Sequence, residues 1–530
     1  MKIVTAEEMK IMDKEAEKYG ISGLLLMDNA AKAVADAAVH MVEDISCPKV
    51  IVLCGRGNNG GDGFGAARWL LAYGIDAEAV LVGFKAEDVQ GDAAAELNMF
   101  LKAGGSCRAL LEEEEAELEE IRCRAADLII DAMLGTGFHG QLSGLTARMC
   151  AAANASRAQV LAVDVPTGVS AADGSAAEGA VYADVTVTMS LVKTGLLLYP
   201  ARDYAGCLMC ANIGMPENMI ESAPGRKYMV TDEIVGELLP VRRPDAHKGD
   251  AGRVTVCAGS PGFTGAAALC ANAAVKAGAG LVTLMAPLSC RDILGMKLTE
   301  VMVHGLLERM PGILGGAAVS DVLQKANASD VLAIGPGLGA AENTREVVRE
   351  ILLKAEVPAV IDADALNALA GHTDVLAKMG APKVLTPHPG EMARLTGMET
   401  EDINGSRIET AAKYAAEWNA VVVLKGAPTV IACPDGSVYV NTTGCSAMAT
   451  GGSGDVLTGI IAGLAAQGIT LQEAAICGVY LHGLAGEIAS GGEVGLAAGE
   501  ISACLPEARF ALEDASEERT VYNTALKVIK

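Results

Sequence analysis

Short apolar runs recur along the chain, and each is followed by a stretch with helical periodicity. The first series comprises residues 49–54, 79–82, 128–131, 160–164 and 185–189. A second begins at 253–257 and continues through 331–334, 359–362, 384–386 and 421–424. Short β-branched runs alternating with helical segments predict parallel sheets covered by helices on both faces. Between the two series lies a punctuated region, Met215-Pro216-Glu217-Asn218 through Ala223-Pro224-Gly225-Arg226. The chain is therefore read as α/β, with one three-layer α/β/α domain over 1–225, a second over 226–507, and a polar C-terminal tail over 508–530.

Composition refines that picture. Hydrophobic residues make up 51% of 530 positions and glycine supplies 61, while aromatics reach only 3%. Small side chains on this scale suit helices lying close to a sheet, and the apolar content excludes disorder as a description of the whole chain. Lys+Arg 41 against Asp+Glu 66 leaves a net charge of −25, which repels nucleic acid and requires local exceptions wherever a phosphate binds. Residues 254–275 are free of charge, yet Gly259-Ser260-Pro261-Gly262 breaks them into strand, turn and helix, so a membrane span is rejected. Met1–Glu8 shows no apolar signal core. The 14 cysteines are scattered, and the lone Cys207/Cys210 pair fits a metal site, a redox pair or coincidence, the last being favoured in so cysteine-rich a chain. A reducing cytoplasm is expected. The acidic run from Glu112 to Glu120 reads as a solvated helix face.

Candidate chemistry begins at Gly55-Arg56-Gly57-Asn58-Asn59-Gly60-Gly61-Asp62-Gly63, a G-x-G-x-x-G loop between an apolar strand and a helix. Such a loop brings backbone N–H groups to a phosphate. Ordinary nicotinamide oxidoreduction wants a carboxylate at the end of the next strand, and Val80-Leu81-Val82-Gly83 offers none. Asp131-Ala132-Met133-Leu134-Gly135-Thr136-Gly137-Phe138-His139-Gly140 and Asp164-Val165-Pro166-Thr167-Gly168 repeat the pattern of strand end, Asp and glycine loop. One such Asp is more often a turn cap than a catalyst, but three acidic or amide strand ends should converge on one crevice. Oxygens of Asn59, Asp131 and Thr167 could hold a hard cation there.

These motifs, with Leu26-Met27-Asp28-Asn29-Ala30 upstream, resemble the NAD(P)H-hydrate epimerase domain over about residues 1–220. The resemblance implies a Rossmann-like fold that interconverts the R and S forms of hydrated NADH and NADPH. It implies substrate contacts at Asn58, Asn59, Gly60, Gly61, Asp62, Gly135, Thr136, Gly137, Phe138, His139, Gly140 and Gln141, and potassium at Asn59, Asp131 and Thr167. Asp164 is the candidate for proton handling, with Lys193 near the same crevice. A departure from the family pattern is Asn212 in Asn212-Ile213-Gly214-Met215-Pro216, where Asp is usual.

In the second half, Ala449-Thr450-Gly451-Gly452-Ser453-Gly454-Asp455-Val456-Leu457-Thr458-Gly459 leads small residues into an apolar helix. Unpaired N–H groups there form an anion hole for a transferring phosphoryl group, with Asp455 placed to take a proton; alternatively Asp455 is simply a helix N-cap. No G-x-x-x-x-G-K-[ST] loop occurs. Gly335-Pro336-Gly337-Leu338-Gly339, Asp362-Ala363-Asp364, Thr386-Pro387-His388-Pro389-Gly390-Glu391 and Lys425-Gly426-Ala427-Pro428-Thr429 also follow apolar strands. Singly, His388 reads as a structural histidine and Lys425 as a surface lysine; their shared strand-end position argues for a cleft.

Over about residues 226–507 these motifs resemble the ADP- or ATP-dependent NAD(P)H-hydrate dehydratase of the ribokinase-like superfamily. The resemblance implies that a nucleotide, ADP in fused enzymes of this kind, phosphorylates the ring hydroxyl of the S-hydrate, after which phosphate leaves. Asp455 would take the hydroxyl proton; Ala266, Gly337, Gly339 and His388 would contact the hydrate; and Lys425, Gly426, Ala427, Pro428, Thr429 and Gly454 would bind the nucleotide with Mg²⁺. Residues 445–448 depart from the family's Asn-Pro-Gly stretch. The small molecules NADHX, NADPHX and ADP are the expected partners, alongside a homo-oligomeric assembly. The rival reading is a small-alcohol or vitamin-precursor kinase carrying a non-catalytic N-terminal binding module.

Overall fold

The computed structural model describes residues 1–492, 494–518 and 526–529. They form two compact units: one from Lys2–Gly225 joined by the C-terminal strand Leu526–Ile529, the other from Arg226 through the helix Leu505–Glu518, together with Met1.

The first unit is an 8-stranded sheet ordered Leu526–Ile529, Cys207–Ala211, Val185–Met189, Gln159–Val163, Leu128–Ala132, Val50–Cys54, Ala77–Val82, Ser106–Leu110. Every pairing is parallel except that of Leu526–Ile529 with Cys207–Ala211. Period-two alternation explains the layers: Val50, Val52 and Cys54 belong to one buried cluster, while Ile51 and Leu53 belong to the cluster on the other face. Strand order reverses between Val50–Cys54 and Leu128–Ala132, so the crevice beyond their carboxyl ends is where a doubly wound sheet takes a ligand.

The second unit is a 10-stranded sheet whose central strands, from Val421–Leu424 through Lys383–Leu385, Ala359–Ile361, Val331–Ile334, Arg253–Cys257 and Leu281–Pro287 to Met302–Leu306, are parallel. Thr429–Ala432 and Val438–Asn441 extend it by antiparallel pairing, and Lys227–Met229 closes the edge. The helix Ser453–Ala465 lies unusually close to Thr264–Lys276. A Cβ on Gly459 would fall 2.1 Å from the Cys270 carbonyl oxygen, and one on Gly463 2.5 Å from that of Ala274. The glycine-rich, aromatic-poor composition is what lets the helix bearing Asp455 seat this deeply.

The expected polar tail over 508–530 is corrected for its described residues. Ala508 and Leu512 are buried in the second core as part of Leu505–Glu518, and Leu526–Ile529 is an edge strand of the first sheet. The acidic run forms the helix Glu113–Arg124, solvated apart from Ala116, Cys123 and Glu119, the last buried with Arg108 Nε at 3.3 Å. Cys207 and Cys210 sit three apart on one strand, one exposed and one buried, so they face opposite sides of the sheet and do not form a chelate. All 14 cysteines are free thiols. Among the described residues no helix is long and apolar enough to cross a membrane.

Candidate active sites

In the first unit the loop after Val50–Cys54 packs back on itself. A Cβ at Gly60 would fall 1.7 Å from the Gly55 carbonyl oxygen, so only glycine lets the helix Asn58–Ala72 begin this close to the strand end. That loop, the loop after Leu128–Ala132 and the helix Ala6–Lys18 surround a cavity of about 920 Å³, at the upper end of the range for small-molecule sites. Asn58, Asn59, Asp62, Gly135, Thr136, Gly137, Phe138, His139 and Asp164 line it. Gly60 and Gly61 do not: they are buried inside the helix as packing glycines, Gly61 against Met27. Gly140 and Gln141 are also outside the lining, on the exposed continuation of the loop.

Asp164 is held at φ +63, a left-handed conformation that Asp tolerates better than most residues. Its Oδ1 accepts from Lys193 Nζ at 2.5 Å, Thr188 Oγ1 at 3.0 Å and Met189 N at 3.3 Å. Lys193 is only 1% exposed and also donates to Met189 O at 3.0 Å. Asp164 Oδ2 has no hydrogen-bond partner among the described residues, which leaves one carboxylate oxygen for whatever fills the cavity. Asp13, from the first helix, and Asp62 face the same space. Burial pushes both carboxyls up, Asp62 strongly, with Asp164 adding repulsion and Lys193 opposing it.

Asp131 and Thr167 lie beneath the floor, both fully buried. Asp131 accepts from Thr167 N and Thr167 Oγ1, both at 2.7 Å, and from Met133 N at 3.3 Å, yet forms no ion pair among the described residues. Burial raises its carboxyl to about 6, against the pull of those hydrogen bonds. Asn59 Oδ1 lies close to Gly135, and Asn59 Nδ2 is buried without a partner among the described residues. A buried carboxylate with no ion-pair partner among the described residues, hydrogen-bonded to the Thr167 hydroxyl, fits a monovalent hard cation such as potassium.

In the second unit the strand ends again converge. Asp362, 1% exposed, accepts from Lys425 Nζ and from Thr458 Oγ1, each at 2.8 Å. Lys425 Nζ also stands 3.7 Å from Glu391 and beside Gly454. Asp455 occupies the third position of Ser453–Ala465, whose N-cap is Gly452, so the N-cap reading of Asp455 does not hold. Burial, then repulsion from Asp362, raises the Asp455 carboxyl to about 7, with Lys425 pulling the other way. Gly337 lies against Ala266 and Phe263, and Gly339 N donates to Asp364 at 2.8 Å.

His388 is both structural and available. As the N-cap of Pro389–Thr396 its Nδ1 accepts from Gly390 N at 3.0 Å and Glu391 N at 3.3 Å. That fixes the proton on Nε2, and burial lowers the ring's basicity despite Glu391. Of the nucleotide loop 425–429, Lys425 reaches Asp362, and Thr429 Oγ1 donates to Gly426 O at 2.9 Å. Ala427 is exposed and Pro428 buried. Arg407 supports this loop from beneath, donating to Lys425 O at 2.8 Å. Asn212, the departure from Asp, still closes its turn by accepting from Gly214 N at 2.9 Å.

Sequence reasoning missed Asp13, Glu391, Thr458 and Arg407 as neighbours of these sites. Glu391 and Thr458 lie within the strand-end and helix-start motifs of the second half, but nothing in the local pattern around Asp13 or Arg407 marks them.

Residues 254–506 match the family model described as NAD(P)H-hydrate dehydratase, and residues 23–195 match that described as YjeF-related protein N-terminus. The bifunctional NAD(P)H-hydrate repair enzyme Nnr of Moorella thermoacetica is 44% identical over 98% of this chain and 98% of its own length. The enzyme of the same name from Thermofilum pendens is 40% identical over 97% of each. A crystal structure of the Bacillus subtilis ADP/ATP-dependent NAD(P)H-hydrate dehydratase, co-crystallized with ATP/Mg²⁺, is similar over 54% of this chain and 98% of that one, at 34% identity and a TM-score of 0.47. A lone small-alcohol kinase with a passive N-terminal module does not account for full-length likeness to two-activity enzymes. The chain belongs to the family of bifunctional NAD(P)H-hydrate repair enzymes.

Proposed function

We propose that the first unit epimerises R- and S-hydrates of NADH and NADPH, and that the second dehydrates the S form with ADP, giving AMP and phosphate. The observation that carries this reading is a pair of carboxylates at two strand-end sites: Asp164, with one oxygen clamped by Lys193 and the other turned to the cavity, and Asp455, raised to about 7 in the first turn of a glycine-led helix.

In the epimerase cavity Asp164 Oδ2 holds or moves a proton at the oxygen of the carbon that also bears the ring nitrogen. Protonating the hydroxyl lets the nitrogen lone pair expel water, and water re-adds from the other face, returning the proton. Taking the hydroxyl proton instead lets the C–N bond open and reclose. Either route needs one positioned acid–base group. Asn58, Asn59, Asp62 and residues 135–139 offer amide, carboxylate and backbone groups to the dinucleotide. Potassium at Asn59, Asp131 and Thr167 would neutralise the buried Asp131 charge and stiffen the loop before Gly135.

In the dehydratase cleft Asp455 takes the ring-hydroxyl proton as that oxygen attacks the terminal phosphoryl group of ADP. AMP leaves, the C–O bond to the new phosphate then breaks, and loss of a neighbouring proton restores the double bond. Helix N–H groups from 453 onward and Lys425 face the developing charge. Among the described residues no cluster of three or more His, Cys, Asp or Glu is set to hold a metal, so the residues fit Mg²⁺ carried mainly by the nucleotide's phosphates, where it supplies charge neutralisation. Ala266, Gly337, Gly339 and the Nε2–H of His388 would contact the hydrate. The test is separation of function. D455N should lose dehydration and keep epimerisation, whereas loss of both would sink the assignment of two chemistries to two sites.

A further inference from the structure

His482 sits midway along Leu471–Ser490 and is only 9% exposed. Its Nε2 lies 3.0 Å from the carbonyl oxygen of Ser453 and 3.3 Å from Ser453 Oγ. A carbonyl oxygen only accepts, so Nε2 carries the ring proton. Burial, reinforced by the nearby Lys425 charge and opposed only by the bond to Ser453, lowers this histidine to about 4, so the ring is neutral at working pH. A protonated Nε2 has no lone pair left for the Ser453 hydroxyl hydrogen. Among the described residues Ser453 Oγ has no other side-chain partner, so that hydrogen is unclaimed while its oxygen is pinned.

Ser453 is the first residue of the helix Ser453–Ala465, directly after Gly452 at φ +97 and two residues before Asp455. Its hydroxyl thus stands in the same turn as the backbone N–H groups to which the dehydratase reading assigns the phosphoryl group. We propose that Ser453 donates its hydroxyl hydrogen to the phosphoryl group in transfer, and that His482 is a positioning residue holding that hydroxyl. Its one side-chain contact among the described residues is a ring N–H that takes no proton from it, so Ser453 is a donor and not a nucleophile, and no phosphoserine forms. The inference rests on the dehydratase reading above.

The test uses the full chain with S-hydrate, ADP and Mg²⁺, following regained absorbance of reduced nicotinamide. S453A should lower kcat about 10²-fold with KM for the hydrate changed less than about twofold, as for loss of one preorganised donor. S453T, which keeps the hydroxyl, should recover most of that loss. H482L should match S453A. H482Q, whose amide N–H can reach the same carbonyl, should stay within about fivefold of the unaltered chain. The double variant S453A/H482L should be no slower than S453A alone, because both changes act through one hydroxyl. A kcat for S453A within about twofold of the unaltered chain, or multiplicative losses in the double variant, would overturn the proposal. An unaltered chain that regains no reduced nicotinamide would remove the dehydratase reading itself, a distinct outcome.

Discussion

Replacing Lys193 with methionine removes a buried ammonium and keeps most of the side-chain volume. Three acceptors lose a donor: Asp164 Oδ1 at 2.5 Å, which keeps its bonds from Thr188 Oγ1 and Met189 N, Met189 O at 3.0 Å and Thr188 Oγ1 at 3.2 Å. Breaking one side of a buried ion pair costs about 3–5 kcal/mol. The Asp164 side chain is 15% exposed towards the cavity, so water reaches the stranded carboxylate, and the lower end, about 3 kcal/mol, applies. For a unit of this size each kcal/mol lowers Tm by about 2–4 °C, giving a fall of about 6–12 °C in the first unit. Epimerisation should drop at least 10²-fold, because the acid–base oxygen is no longer oriented, while dehydration of pure S-hydrate continues at the same rate. Calorimetry with separate assays of both reactions checks this. An unchanged first-unit transition with unchanged epimerisation would refute the claim that Lys193 holds Asp164.

Other outcomes follow from the same geometry. Dehydration kcat/KM should rise with pH and level off above about 7, because Asp455 must be deprotonated to act and its raised carboxyl loses that form as pH falls through 7. Adding K⁺ should raise the Tm of the first unit relative to Li⁺, and D131N should abolish the difference, since the uncompensated carboxylate is gone. G459V should destabilise the second unit by several kcal/mol, seen as a lower denaturation midpoint, because the branched side chain meets the Cys270 backbone at a point where no flexible group can yield.

Much of the fold was legible because parallel strands buried on both faces are continuous apolar runs. Val50–Cys54, Leu128–Ala132 and Val421–Leu424 fall within a residue of the expected runs. The edge strands Ser106–Leu110 and Leu526–Ile529 and the neighbouring Cys207–Ala211 were missed; Ser106–Leu110 is the more polar and exposed, and Leu526–Ile529 pairs with a strand more than three hundred residues earlier. Strand-end residues Asp131, Asp164 and Lys425 were readable because connectivity alone brings each to the carboxyl rim of its own sheet. Asp13, Arg407 and His482 were not: each reaches its site from the flank of a helix, through tertiary packing that no local pattern encodes. Gly60 and Gly61 show the converse, a motif whose glycines serve close packing of helix on strand as well as ligand approach.

The most direct measurement follows an equal mixture of R- and S-hydrates with ADP and Mg²⁺ to completion, using the unaltered chain and D164A side by side. The account predicts that the unaltered chain returns all of the mixture to reduced coenzyme with one AMP and one phosphate per turnover, while D164A consumes the S fraction quickly and then stalls. Full conversion by D164A at the unaltered rate, or accumulation of a stable phosphorylated hydrate, would contradict it.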